Sequence, residues 1–441
     1  MLSILLSLLL TVPLLGPMPA GGSERRDTVE SSHPLKAAGL TLSVNAAMSL
    51  LDRVCFTDPS YKSDWNSIRH NLHSDWVWDN DQFFLNQIGH PIQGAMYYDA
   101  ARASGLGYWG SGLATVLGSV SWEILCESDP PSINDFLSTT AGGMATGEVL
   151  WRLYHLTVNK KKIDFPLRIS AGLGARGLAG IRSVGADAAA APRSAGAQAF
   201  FDIEYGDPFD WTDNRPYDWF TLDLRAGVGS GGTSGVQQVS IVGRLYGKSF
   251  QTRKGDDLTV GLFQHFNYYD SPEMDLSESN SFGPGIVMRF KDDRGVPNTE
   301  LQAHLGAIIM GGIQSEYYSV IKRRYNMASG FSFHGSVSHD LGRTVSASLK
   351  FDHYQLFTSK EYNQAFLDAG GDPLLLDARG NKQISQADIF RMLVDIRCSD
   401  SLAIRIAPSL MCRRSLYSYH PDVFRSYADV TVGLCWKFTN Q

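Results

Sequence analysis

The stretch FTLDLRAGV (residues 220–228) sets Phe220, Leu222, Leu224, Ala226 and Val228 at every second position, with Thr221, Asp223, Arg225 and Gly227 between them. ELQAHLGAII (300–309) repeats the pattern through Leu301, Ala303, Leu305, Ala307 and Ile309, and VTVGLCWKF (430–438) repeats it near the C-terminus. A period of two gives a strand one apolar and one polar face. Working outward, twelve such segments are expected: 166–176, 197–205, 217–228, 236–248, 257–269, 281–291, 299–310, 329–338, 344–356, 385–397, 401–413 and 427–438. Segments of this length, with little helical pattern among them, predict a mainly β fold: an antiparallel outer-membrane β-barrel of about twelve strands, of the Gram-negative type.

Connection lengths are an independent test. Gaps after the odd segments are mostly long (177–196, 270–280, 311–328, 357–384, 414–426) and those after the even ones mostly short (249–256, 292–298, 339–343, 398–400). With both barrel ends on the periplasmic side, long loops then face outward and short turns inward. The gap 206–216 is too long for this rule, and the Gly-rich 229–235 is too short. The C-terminal strand, through Leu434, Trp436 and Phe438, is similar to the aromatic terminal strand that barrel-assembly machinery recognises, although Thr439, Asn440 and Gln441 follow it.

Composition narrows the class. Of 441 residues, 43% are hydrophobic and 19% charged, so neither a disordered chain nor a polytopic helical membrane protein fits. A formal charge of -6 gives no reason to expect nucleic acid. Cys55, Cys126, Cys398, Cys412 and Cys435 are odd in number and lack CxxC spacing, which argues against a disulfide framework or a zinc site, although one disulfide stays possible. Residues 1–20 have the apolar run and small-residue end of a signal peptide. No Lys or Arg precedes that run, and a start upstream of Met1 would account for it.

Residues 21–63 are expected to form an irregular linker and 64–160 a small helical domain, with the transmembrane barrel over 166–438. Helices are expected near 80–89, 91–104, 110–127 and 132–156, with Pro91 opening the second and Ser132/Asp135 capping the fourth. Residues 107–125 are uncharged up to Glu123, but Gly110, Gly112, Ala114, Gly118 and Ser119 favour close helix packing over a membrane span. The helical domain is expected in the periplasm or within the barrel lumen.

This domain carries the polar constellation of the chain. Asp79-x-Asp81 leads through Asn86 and His90-Pro91 to Tyr97 and Arg102. Ser121-Trp122-Glu123, Glu127, Pro131-Ser132, Asp135, Gly142-Gly143 and Gly147-Glu148 follow. Here, over about residues 75–155, the chain resembles the family called domain of unknown function 3943. Barrel segments such as 205–208 and 261–269 are also similar to it. The resemblance implies a secreted envelope protein with a helical unit and no assigned activity.

Several readings of the constellation stay open. His90, Glu123, Glu127, Asp135 and Glu148 could form a general acid/base cluster or hold a divalent ion, although no HExxH spacing is present. Alternatively Asp79, Asp81, Asn86, Arg102 and Arg152 join them in a structural network that braces or plugs the barrel, with Glu148 and Arg152 paired at i, i+4. Convergence of His90, Glu123 and Glu148 would favour chemistry, and saturation by Arg102 and Arg152 would favour bracing.

Elsewhere, 207–219 mixes acids and aromatics as a turn with an interfacial aromatic belt would, with sugar binding as the alternative. His265, His304 and His353 are expected as satisfied strand histidines. No nucleophile elbow, phosphate loop or dinucleotide fingerprint is present, so no cofactor is called for. The functions that fit are an outer-membrane structural or transport protein, or an envelope enzyme acting on lipid or glycan. Outer-membrane lipid and the assembly machinery are the expected partners.

Overall fold

The computed structural model describes residues 32–55, 60, 62–158, 165–210, 214–229, 235–271, 274–317, 323–361, 368–370 and 377–440. The expected signal peptide lies outside them. Twelve antiparallel strands close into a barrel: β1 (Leu167–Val184), β2 (Asp187–Tyr205), β3 (Phe220–Gly229), β4 (Gly235–Gln251), β5 (Asp257–Ser271), β6 (Met274–Lys291), β7 (Pro297–Gln314), β8 (Tyr325–Leu341), β9 (Val345–Thr358), β10 (Gln383–Arg397), β11 (Leu402–Tyr417) and β12 (Val423–Asn440). Closure is the pairing of β1 with β12, from Leu167↔Asn440 to Val184↔Val423.

The strands outrun the expected segments, mainly at the rim away from the start of β1. The expected loop 177–196 is instead two strand ends joined at Gly185, and 270–280 likewise continues β5 and β6. Backbone ladders need no alternation of side chains, so pairing persists where the amphipathic signal stops. Long connections on that rim remain at 315–324 and 359–382.

Side chains that meet across the lumen identify the inward face. Arg405 of β11 pairs with Asp202 of β2 and Asp395 of β10, Lys350 of β9 with Asp223 of β3 at 2.6 Å, and His265 of β5 stacks on His334 of β8. The opposite parity therefore faces out. Leu262, Leu305, Ile309, Val432, Leu434 and Trp436 form part of an exposed apolar belt there.

Of the described residues in the connection 206–219, Pro208, Phe209 and Trp219 pack on inward side chains while Tyr217 faces out, stacked on Tyr108; Trp211 lies outside the described residues. Arg244 donates to the carbonyls of Pro208 and Asp210, and Thr259 donates to Pro208 at 2.8 Å. Phe209 lies under Arg289, and Trp219 packs edge-on to Phe263. Phe209 and Trp219 are thus interior residues, correcting the interfacial belt expected of them. Gly206 turns back at φ 79, where a side chain would overlap the carbonyl of Asp218.

The helical unit comprises α1 (Pro34–Cys55), α2 (Trp65–Asn71), a π-turn (Leu85–Gly89) running into α3 (His90–Arg102), α4 (Tyr108–Leu125), α5 (Ile133–Leu137) and a second π-turn (Ser138–Gly142) running into α6 (Gly143–Val158). The irregular linker expected over 21–63 is helical at α1. The inward positions of α1 are Ala37, Thr41 and Asn45, which leave no apolar stripe to read.

The unit rests on the outside of the barrel. Tyr108 Oη donates to Gln264 at 2.6 Å, Gln264 Nε2 donates to the Ala141 carbonyl, and Phe83 stacks on Tyr268. Gln264 and Tyr268 have the opposite parity to inward His265 and Tyr269, so they face out. Outward Leu167, Ile203, Phe220, Leu222, Ile241 and Met327 complete this buried seam with Tyr98, Ala145 and Val149. Of the two placements expected, periplasm or lumen, these contacts are not those of a unit inside the lumen. The unit runs from rim to rim: Arg152 reaches the Pro216 carbonyl at one end, while Trp78 and Asp79 are tied to Asp377 and Arg323 at the other.

Candidate functional site

Close helix contact places the polar residues. Gly94 and Gly143 meet where α3 crosses α6; a Cβ on Gly143 would lie 2.6 Å from the Gly94 backbone, and one on Gly94 would overlap the Thr139 carbonyl. Below this crossing, Glu148 is saturated. It takes Arg102 at 3.2 Å, Arg152 at 2.8 Å and the Tyr98 hydroxyl at 2.7 Å. Arg152 also reaches Asp218, and Arg102 lies over Trp151. Two guanidinium groups serve Glu148 and Asp218 here, with the Asp99 carboxyl alongside Glu148 and Arg102.

The other group lies at the opposite end of α3. The π-turn before α3 and the π-turn after α5 pack on each other, and such turns offset the side chains that follow them. His90 and Asp135 flank this contact. Val77 donates to Pro131 and accepts from Ile133, which holds 77–81 beside the start of α5. Ser132 caps that helix by accepting from Asp135 N. His90 Nε2 lies 3.2 Å from Asp81 Oδ2 and 3.2 Å from Asp135 Oδ1. The three ligand atoms lie within 4.8 Å of one another.

Around this triad are three further carboxylates. Asp79 Oδ1 accepts from Asn134 Nδ2 at 2.6 Å and from Asp81 N. Glu123 accepts from Ser132 N at 2.8 Å, and Glu127 accepts from Trp122 Nε1 at 2.6 Å. Glu127 lies beyond the end of α4, so the expected shared helical face with Glu123 is not formed. Asn86 bonds Ser138 rather than joining the acids. Among the described residues, the ion pairs of Asp79, Asp81, Glu123, Glu127 and Asp135 are those of His90 with Asp81 and Asp135. Arg323 lies near Asp79 but donates to its main-chain carbonyl.

Charge excess and burial act together. Burial, then the fields of Asp79 and Asp81, pushes the Asp135 carboxyl well up. Burial raises Glu127 to about 7. For His90 burial opposes the charge, but the Asp81 hydrogen bond and the surrounding acids outweigh it and its pKa rises. His90 is 6% exposed, and its Nδ1 has no hydrogen-bond partner among the described residues.

The two groups are distinct: His90, Glu123, Glu127 and Asp135 converge, whereas Glu148 stands with Arg102 and Arg152. Sequence reasoning missed Asn134, whose amide links Asp79 to Asp135, and Arg323, 244 residues from Asp79 in sequence. An Asn next to a named acid was a local signal for the first; nothing local pointed to the second. The strand histidines differ from expectation. Neither ring nitrogen of His265 has a partner among the described residues, and His353 faces outward, bonded to Asp388 at 2.8 Å. All five cysteines are free.

Residues 75–173 match the family model described as Domain of unknown function (DUF3943). The matched span covers the 75–155 stretch on which the resemblance was read and runs on into β1, while the barrel segments 205–208 and 261–269 lie outside it. No curated protein matches the chain. Solved structures similar to it in fold include the COG4313 outer membrane channel from Pseudomonas putida F1, at 9% identity, covering 64% of this chain and 98% of that one, with a TM-score of 0.30. The NanC porin is similar at 9% identity, 58% and 98% coverage and a TM-score of 0.26. The P. putida toluene transporter TodX is similar at 9% identity, 64% and 91% coverage and a TM-score of 0.24. What is shared is the barrel.

Proposed function

We propose that this is an outer-membrane protein whose barrel acts as a wall, and whose helical unit holds a divalent-cation-dependent hydrolytic centre on Asp81, His90 and Asp135. One observation carries the reading: five carboxylates, Glu123 and Asp135 buried and Asp79, Asp81 and Glu127 half-buried, gather about a single buried imidazole whose Nε2 faces two of them at 3.2 Å. Ligand atoms held about 2.0–2.2 Å from one ion sit roughly 3.0–3.5 Å from each other, so this spacing suits a shared cation. One imidazole with carboxylates fits Zn²⁺ or Mn²⁺. Such an ion would polarise an ester carbonyl and acidify a bound water. Glu127, a neighbouring acid, would take the water proton and return it to the leaving alkoxide, as hydroxide joins the acyl carbon.

The role of wall is supported by the ion pairs that cross the lumen and by Pro208 and Phe209, which pack on inward Arg244, Thr259 and Arg289. The exposed apolar belt would meet outer-membrane lipid, and the aromatic final strand would engage the barrel-assembly machinery. With the start of β1 at the periplasm, the His90 group lies at the outer rim beside Arg323 and Asp377. The Glu148 group supports the bracing role read from the sequence, fastening the unit to the wall.

The test is Mn²⁺ titration of the purified, chelator-stripped protein, followed by electron paramagnetic resonance. Saturable binding that is lost in His90→Ala and Asp135→Asn, with the helical circular dichroism unchanged, is expected. Binding that is absent, or indifferent to both substitutions, overturns the reading.

A further inference from the structure

Helix α4 is built inside out. Between Tyr108 and Trp122, which are buried near its two ends, its buried positions are Ser111, Gly112, Ala114, Thr115, Gly118 and Ser119, small residues packed on the rest of the unit, with Glu123 following Trp122. A Cβ on Gly118 would press on the Tyr97 ring, and one on Gly112 on Met144. The opposite stripe is Trp109, Leu113 and Leu117, at four-residue spacing and 63%, 71% and 44% exposed. A helix facing water buries the second set and shows the first. In a bilayer the order reverses, because small and polar residues pack helices together while large apolar ones meet lipid tails.

The position of the helix agrees. The unit lies on the same outward wall that shows Leu262, Leu305 and Ile309 elsewhere around the barrel, so its outer face continues that belt. Eighteen residues span about 27 Å at 1.5 Å per residue, close to the thickness of a hydrocarbon core. No helix among the described residues is long and apolar enough to cross a membrane.

We infer that the Trp109–Leu113–Leu117 face is bathed in lipid acyl chains, and that an acyl-bearing membrane lipid is the molecule presented to the His90 group. The second half rests on the hydrolytic reading; the first does not. Glu123 closes the buried face of α4, so the helix leads from the tail region toward the acids.

The full-length protein, reconstituted in vesicles of a phospholipid with a diazirine in its acyl chain, is irradiated and its peptides mapped by mass spectrometry. Adducts are expected on peptides from 108–125 as well as on belt peptides from 300–309, which serve as the internal reference. Labelled belt peptides with an unlabelled α4 overturn the placement, whether water or a second protein covers it. In the same vesicles with Mn²⁺, free fatty acid should be released by the wild type and not by Asp135→Asn. Labelled α4 without release overturns the substrate while leaving the placement. Absent Mn²⁺ binding removes the centre itself.

Discussion

Glu148 and Asp135 lie on one continuous helical path, both buried, in opposite electrostatic settings. Around Glu148 two arginines and a tyrosine hydroxyl meet its carboxylate, with Asp218 and Asp99 the further acids beside those arginines. Around Asp135, four more acids share one histidine. The lumen follows the first plan: Asp395 has Arg405 and Lys437, and Asp429 has Arg176. A buried charge is costly unless paired, so an unbalanced group persists where something other than stability maintains it. The contrast separates fastening from chemistry within one small unit.

The largest effect should come from the contact both groups depend on. Gly94→Val puts side-chain atoms into the Thr139 carbonyl and the Gly143 backbone, with no flexible neighbour able to yield. The α3–α6 crossing must open, at a cost above about 4 kcal/mol. Helical circular dichroism should fall while the strand signal persists, and cation binding should vanish. If binding survives with the helical signal lost, the two groups do not share this support.

Glu148→Ala comes next. It takes from Arg102 the carboxylate it pairs with and leaves Arg152 to Asp218 and the Pro216 carbonyl, and should destabilise the unit by about 3–5 kcal/mol, read as an earlier loss of the helical signal in denaturant. At concentrations where the variant remains folded, Mn²⁺ affinity should stay within about threefold of wild type, because Glu148 touches none of the proposed ligands. A collapse of affinity in the folded variant would merge the two groups into one network.

Which of this was legible in the sequence follows from what alternation encodes. Phe220, Leu222 and Val228 share one parity, and the structure puts all three on the outer wall. Phe220 and Leu222 lie beneath helices while Val228 is 74% exposed. Periodicity names a face, not what covers it, so the barrel was readable and the seat of the helical unit was not. Helix α1 escaped notice because Ala37, Thr41 and Asn45 make a contact stripe without hydrophobic contrast. The acids of the site could be named from their density in an apolar stretch. Their division into two groups depends on the reach of Arg102 and Arg152 and on the π-turns beside His90, which no local pattern announces.

Proton linkage offers a finer test. A cation on Nε2 needs an unprotonated imidazole, and the acids hold the His90 pKa above its usual value. As pH falls through that raised value, protons displace the ion, so affinity should decline about tenfold per pH unit for each proton taken up. The decline should begin above the ordinary imidazole value of about 6.5. Calorimetry in buffers of different ionisation enthalpy counts those protons. An affinity that is flat from about pH 8 to about pH 6 would remove His90 from the ligand set.

The smallest effect is the one whose sign matters most. In chelator, Asp135→Asn removes one of several mutually repelling carboxylates while an amide oxygen remains to accept from Asn134. The substitution should therefore stabilise the cation-free unit, by about 1 kcal/mol. With saturating Mn²⁺ the wild type gains stability through binding and the variant does not, so the order of the two melting curves inverts. A bracing residue behaves otherwise, as Glu148 does: its loss weakens the fold with or without an ion. If Asp135→Asn destabilises in chelator by as much as Glu148→Ala, then Asp135 is a brace as well, and the contrast between the two groups fails at its most exposed point.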